Sequence, residues 1–107
     1  MFEQAIKRFE SLDRETERRC LESFLFALTG AVRYLFTKHA DSATRLRILI
    51  HVSEINRYVL KRVLPPEDSF RTVEYTLHVV EEHVSQVPEL EELATGLLDS
   101  ILKKAGA

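Results

Sequence analysis

From Phe70 to Leu102 the apolar residues of this chain recur every three or four positions. Phe70, Val73, Leu77, Val80, Val84 and Val87 form one series, and Leu90, Leu93, Ala94, Leu97, Leu98, Ile101 and Leu102 form another. That spacing matches the 3.6-residue turn of a helix and leaves no place for the two-residue alternation of a strand. Pro88 divides the two series. Its missing N–H is tolerated in the first turn of a helix and disruptive further in, so one helix ends near 86 and another begins at 88. The second helix has Glu89, Glu91 and Glu92 at its start, Lys103 and Lys104 at its end and Gly106 beyond, each suited to the helix dipole or to a C-terminal cap.

The same signals continue towards the N-terminus. "HADSAT" closes one segment, and Asp41 or Ser42 can cap the next by accepting a bond from its free N–H groups. "LPPEDS" closes that one, because a residue before proline is pushed out of the helical region. These boundaries predict main helices over 14–39, 42–64, 67–86 and 88–105. Residues 2–12 are helical too, since Phe2, Ile6, Phe9 and Leu12 keep a stripe. "DRETERR" then offers no apolar residue, so the chain either breaks there or continues through a solvated turn. In the first main helix Cys20, Leu21, Phe24, Leu25, Leu28, Ala31, Val32, Leu35 and Phe36 cover more than half the circumference, so it must touch more than one neighbour. Short connections make sequential helices antiparallel. The expected fold is all-α: an antiparallel up-down four-helix bundle with a short or continuous N-terminal helical extension, occupying residues 1–107 as one domain.

Charge enters as a constraint on partners. The 107 residues sum to −2, which argues against a nucleic-acid binder. The sum conceals an asymmetry: residues 1–40 carry +1, residues 41–64 carry +3, and residues 65–107 carry −6. Neighbouring segments can attract one another across a bundle surface, or a basic helix can await an acidic partner. Cys20 is the single cysteine, which excludes an intrachain disulfide and a cysteine-rich zinc site. "CLESFLFALTGAVRYLF" is short for a membrane span and holds Glu22 and Arg33, and the first residues lack the pattern of a signal peptide. A cytoplasmic protein without a membrane segment is expected.

Several chemistries can be weighed by spacing. "HVSE" at 51–54 and "HVVE" at 78–81 raise the prospect of a metal gripped between helices. His51 and Glu54 fall opposite the apolar side of their helix, which centres on Val52, Val59 and Val63. Glu74, His78 and Glu81 share one face and are the weak candidates for metal ligands, but an i, i+4 pair on a solvated surface accounts for them more simply. No metal site and no cofactor is expected. Arg33–His39, Arg45–His51 and Arg71–His78 have the spacing used by small helical ribonucleases of the HEPN type, with His39 at a helix end open to substrate. Three pairs in so short a chain discriminate little, and Tyr34, Leu46 and Thr72 follow the arginines in place of that family's usual polar residue. Glu89 and Glu92 lack a second acidic cluster for a magnesium-dependent pyrophosphatase, and the isolated glycines cannot form a phosphate-cradling loop. Cys20 borders the apolar stripe and reads as a small core residue.

What remains is surplus apolar surface. Phe26 projects from the polar side of its helix beside Gly30 and Arg33, and Tyr75 and Val79 pair at i, i+4 on the back of the third main helix. Asn56 lies on an apolar face and requires a partner from another helix. The expected function is a non-catalytic helical interaction module: an adaptor, chaperone or regulatory subunit that forms a homodimer and binds another protein. Phe26, Gly30, Arg33, Tyr75 and Val79 would form the binding surface, with Gly30 permitting close backbone approach. The alternatives are a small RNA-processing enzyme using Arg/His pairs and, third, a metal-binding bundle.

Overall fold

A computed structural model describes residues 2–38, 41–62 and 69–107, without the side chains at 32, 36, 58–62 and 69–72. Every regular element among the described residues is a helix: α1 (Glu3–Glu10), α2 (Arg14–Lys38), α3 (Ser42–Arg62), α4 (Ser69–Val84) and α5 (Pro88–Lys104). The chain breaks after α1 rather than running through. Asp13 explains the restart, because the Thr16 backbone N–H donates to its Oδ1 at 2.8 Å, a side-chain cap on the first turn of α2. That bond and a second one from the Thr16 side chain hold the Asp13 carboxyl below its usual range.

The expected cap at α3 is present. The Thr44 N–H donates to Asp41 Oδ2 at 2.9 Å and the Thr44 hydroxyl at 2.7 Å, and these bonds depress the Asp41 pKa. At α5, Pro88 takes the first turn behind an extended Val87. The C-terminal end closes with Gly106 at φ 83°, its N–H donating to the Lys103 carbonyl at 3.1 Å while the Ala107 N–H donates to Leu102 at 2.9 Å. This paired arrangement is a Schellman motif, and the left-handed backbone at Gly106 is why glycine stands there.

The core is assembled from the stripes read in the sequence. Leu21, Phe24, Leu28 and Leu35 of α2 meet Ile48, Val52 and Ile55 of α3, Val73, Leu77, Val80 and Val84 of α4, and Leu90, Ala94, Leu98 and Leu102 of α5, all buried in one cluster. Cys20 is buried and free, and its thiol pKa is pushed up by loss of water, so it serves as packing. α2 packs on α3, α4 and α5, α3 on α4, and α4 on α5. α1 lies across α4 and α5. Its anchors are Phe2 and Phe9, both 1% exposed, with the Phe2 ring edge-on to Phe24 at 6.2 Å. Arg8 ties α1 to the other end of the chain, donating to Asp99 Oδ1 at 2.8 Å and to the Ala107 carbonyl at 3.0 Å. The resulting body measures 41 × 27 × 20 Å. None of the described helices is long and apolar enough to cross a membrane.

Candidate interaction surface

The sequence-derived surface residues separate into two patches. Phe26 is 79% exposed on the outer side of α2, with Gly30 and Arg33 exposed along the same helix. A side chain added at Gly30 would meet nothing within 4 Å, so within one chain no close approach requires glycine there. Tyr75 is 55% exposed on α4, while Val79 is half-buried. These two line a shallow open groove on that helix with His78, Glu81, Glu82 and Ser85.

Between α2 and α4 stands α3, which packs against both. Its buried side carries Ile48, Val52 and Ile55, and its outer side carries Leu46, Leu49 and Ile50 at 57%, 47% and 48% exposure. Sequence reasoning missed this ridge by centring the apolar side of the helix on Val52. The signal was available in "LRILIHV", whose apolar residues encircle a helix rather than stripe it. Tyr34, on α2, is a further large side chain left in solvent. On α1 and α5 no large hydrophobic is exposed among the described residues. The large exposed apolar groups among the described residues therefore belong to α2, α3 and α4 rather than to α1 and α5.

Two polar contacts hold α3 in place. Thr29 of α2 donates its hydroxyl to the Asn56 side-chain oxygen at 2.8 Å, supplying the expected partner from another helix. Asn56 is half-buried at the α2 edge of its helix, not central to the core. On the other edge, His51 Nδ1 lies 3.2 Å from His83 Nδ1 of α4, the rings tilted by 50°. One neutral ring donates to the bare nitrogen of the other, so the pair holds together only while at least one ring is uncharged. Loss of water is the main cause of a lowered His51 pKa, aided by His83 and Arg47 and opposed by Glu54. His51 thus faces α4 instead of pointing away from the core side. Its cross-helix partner is His83, not the His78 suggested by the matching tetrapeptides.

Glu74, His78 and Glu81 do lie along one face, with His78 3.9 Å from Glu74 and 3.8 Å from Glu81. Those separations suit weak surface pairing. No set of three His, Cys, Asp or Glu among the described residues converges enough to hold a metal ion. Of the Arg/His pairs, His39 and the side chain of Arg71 lie outside the described residues, and the His51 ring is engaged by His83.

One buried carboxylate stands apart. Glu17 is 2% exposed, and its Oε1 has no hydrogen-bond partner. It lines a small void with Ile6, Phe9, Glu10, Val73 and Glu74. Burial raises its pKa, against a weaker opposing pull from Arg14. Helical periodicity could not have found it, because "DRETERR" contains no apolar residue to mark an inward face. No protein-family model matches the chain, and no curated protein or solved structure matches it either.

Proposed function

We propose that this chain is a non-catalytic helical interaction module, an adaptor, chaperone or regulatory subunit that works as a cytoplasmic homodimer and engages another protein. The observation that carries the reading is the uncovered apolar surface: Phe26, Tyr34, Leu46, Leu49, Ile50 and Tyr75 are each close to half exposed or more, all on α2, α3 and α4. Scattered exposed apolars are ordinary, but six large ones on three neighbouring helices, with none on α1 or α5 among the described residues, favour a surface that is covered in the working state.

The architecture we read beneath it is an antiparallel up-down bundle of α2, α3, α4 and α5, one domain over residues 1–107, with α1 as an extension. Support comes from the cyclic order of packing, α2 on α3, α3 on α4, α4 on α5 and α5 on α2. Short connections between successive helices favour antiparallel neighbours.

Light scattering on the purified chain tests the reading. The expected mass is twice the 12.4 kDa of one chain. At least one of Phe26→Asp, Leu46→Asp and Tyr75→Asp returns the single-chain mass while keeping the helical circular dichroism. A single-chain mass for the unaltered protein at high concentration contradicts the homodimer.

A further inference from the structure

We infer that His51 and His83 form a site for a divalent transition-metal ion of the zinc class, which staples α3 to α4. The inference does not depend on the homodimer reading.

The separation of the two ligands comes first. Nδ1 of His51 and Nδ1 of His83 lie 3.2 Å apart across the seam between the helices. Zinc sits about 2.0–2.1 Å from a histidine nitrogen. An ion at that distance from both nitrogens makes an angle of roughly 100–106° with them, close to the tetrahedral geometry that zinc adopts. The backbones of α3 and α4 therefore already hold the two nitrogens at a chelating separation. In the hydrogen-bonded state the nitrogens face each other, and an ion would stand beside the line that joins them. Each ring reaches it by turning about χ2, a torsion with broad wells. Both rings are half-buried, so water can reach the outer side and fill the coordination positions that the protein leaves.

The donors select the class of ion. Imidazole nitrogen suits zinc, copper and nickel, whereas magnesium and calcium take oxygen ligands. A metal ligand must also be free of its proton. Loss of water lowers the His51 pKa, with His83 and Arg47 acting in the same direction and Glu54 opposing them. The His51 ring is thus kept in the form that a metal requires. Arg47 is turned back along α3, its guanidinium donating to the Thr44 hydroxyl at 3.4 Å, and Glu54 stands one turn ahead of His51 with the charge that favours a cation.

The consequence falls on packing. Without an ion, the two rings are joined by a single N–H···N bond that is lost once both are charged. Two bonds to one ion fix the same side chains more firmly and make the docking of α3 on α4 depend on metal. With two protein ligands the site is open, unlike the closed four-ligand centres that hold small domains together. "HVSE" and "HVVE" raised the prospect of an ion gripped between helices, and the fold supplies His83 in the place of His78.

Calorimetric titration of zinc chloride into the full chain, prepared without a histidine tag, tests the site, with NMR of the imidazole nitrogens to report ligation directly. One ion per chain should bind. The Nδ1 signals of His51 and His83 should move together while those of His78 stay in place. His51→Gln and His83→Gln should each weaken binding at least about tenfold, since even the loss of an outer-shell partner costs about 10–100-fold. His78→Gln should leave binding unchanged. Zinc should raise the Tm of the unaltered chain but not that of His51→Gln or His83→Gln. An unaltered chain that binds no zinc, binding that is abolished by His78→Gln, or stationary Nδ1 signals at His51 and His83 would each overturn the site. The NMR result decides the matter even where a variant fails to fold. None of these readouts is the mass of the assembly, so the site and the homodimer stand or fall separately.

Discussion

Replacing Glu17 by leucine should stabilise this protein, which is not what a substitution at a buried position usually does. The side chain is 2% exposed, one carboxylate oxygen has no partner, and it lines a small void with Ile6, Phe9, Val73 and two further acids, Glu10 and Glu74. A buried acceptor left unpaired costs about 1–3 kcal/mol, and more if it is charged. Against this, an acid in the first turns of a helix gains about 0.3–1 kcal/mol from the dipole, which the leucine variant would forgo. The expected net gain for Glu17→Leu is about 1–2 kcal/mol near neutral pH. In a domain of this size about 1 kcal/mol corresponds to roughly 4–8 °C in Tm, so a rise of roughly 5–15 °C is predicted.

The pH dependence gives a second readout. Burial raises the Glu17 pKa in the fold, so the folded state holds its proton more tightly than the unfolded chain does. The wild-type protein then has the full benefit of the protonated form below the ordinary glutamate range. It loses that benefit as pH rises through the raised folded value. The advantage of Glu17→Leu must accordingly be larger at pH 7 than at pH 4, and the isosteric Glu17→Gln should follow the same trend. Thermal unfolding by circular dichroism at both pH values measures this. An unchanged or lowered Tm for both variants at pH 7 would refute the reasoning, because it would mean that the carboxylate is satisfied in solution.

Other expectations follow from single contacts. Phe2→Ala removes a ring packed edge-on to Phe24 and should cost about 3–5 kcal/mol in urea unfolding, whereas a loss below about 1 kcal/mol would make α1 a loose appendage. His51 has a lowered pKa, so the neutral-ring contact with His83 contributes stability above about pH 6.5 that is lost as pH falls below it. Wild type should thus weaken between pH 7.5 and 5.5 more steeply than His51→Gln, and parallel curves would remove the contact from the account. A double-mutant cycle of Thr29→Val and Asn56→Leu should return a coupling of about 0.5–1.5 kcal/mol, and strict additivity would mean that the 2.8 Å bond carries no energy.

Much of the fold was legible because helical signals are local and repeated. Leu90, Ala94, Leu98 and Leu102 of α5 are buried where their spacing placed them, and Pro88 and Gly106 mark its ends. Asp41 caps α3 as its position before an apolar run suggested. The break after α1 was not legible: a polar run permits either a solvated turn or a restart, and the Asp13 cap that decides it is a single local bond. Pairings between helices were harder still. His51 and His83 meet because α3 and α4 lie side by side at one register, a relation that a single-helix wheel does not contain. The outer ridge of Leu46, Leu49 and Ile50 was hidden for a related reason, since assigning one apolar side to a helix leaves a second side uncounted. The candidate surface was therefore half visible: Phe26 and Tyr75 stood out as misplaced, while the helix between them did not.

The most direct test of the account is the equilibrium mass of the unaltered chain, measured by sedimentation across a wide concentration range. The account predicts a two-fold multiple of 12.4 kDa that shifts towards a single chain on dilution. A mass that stays at one chain at every concentration would contradict it.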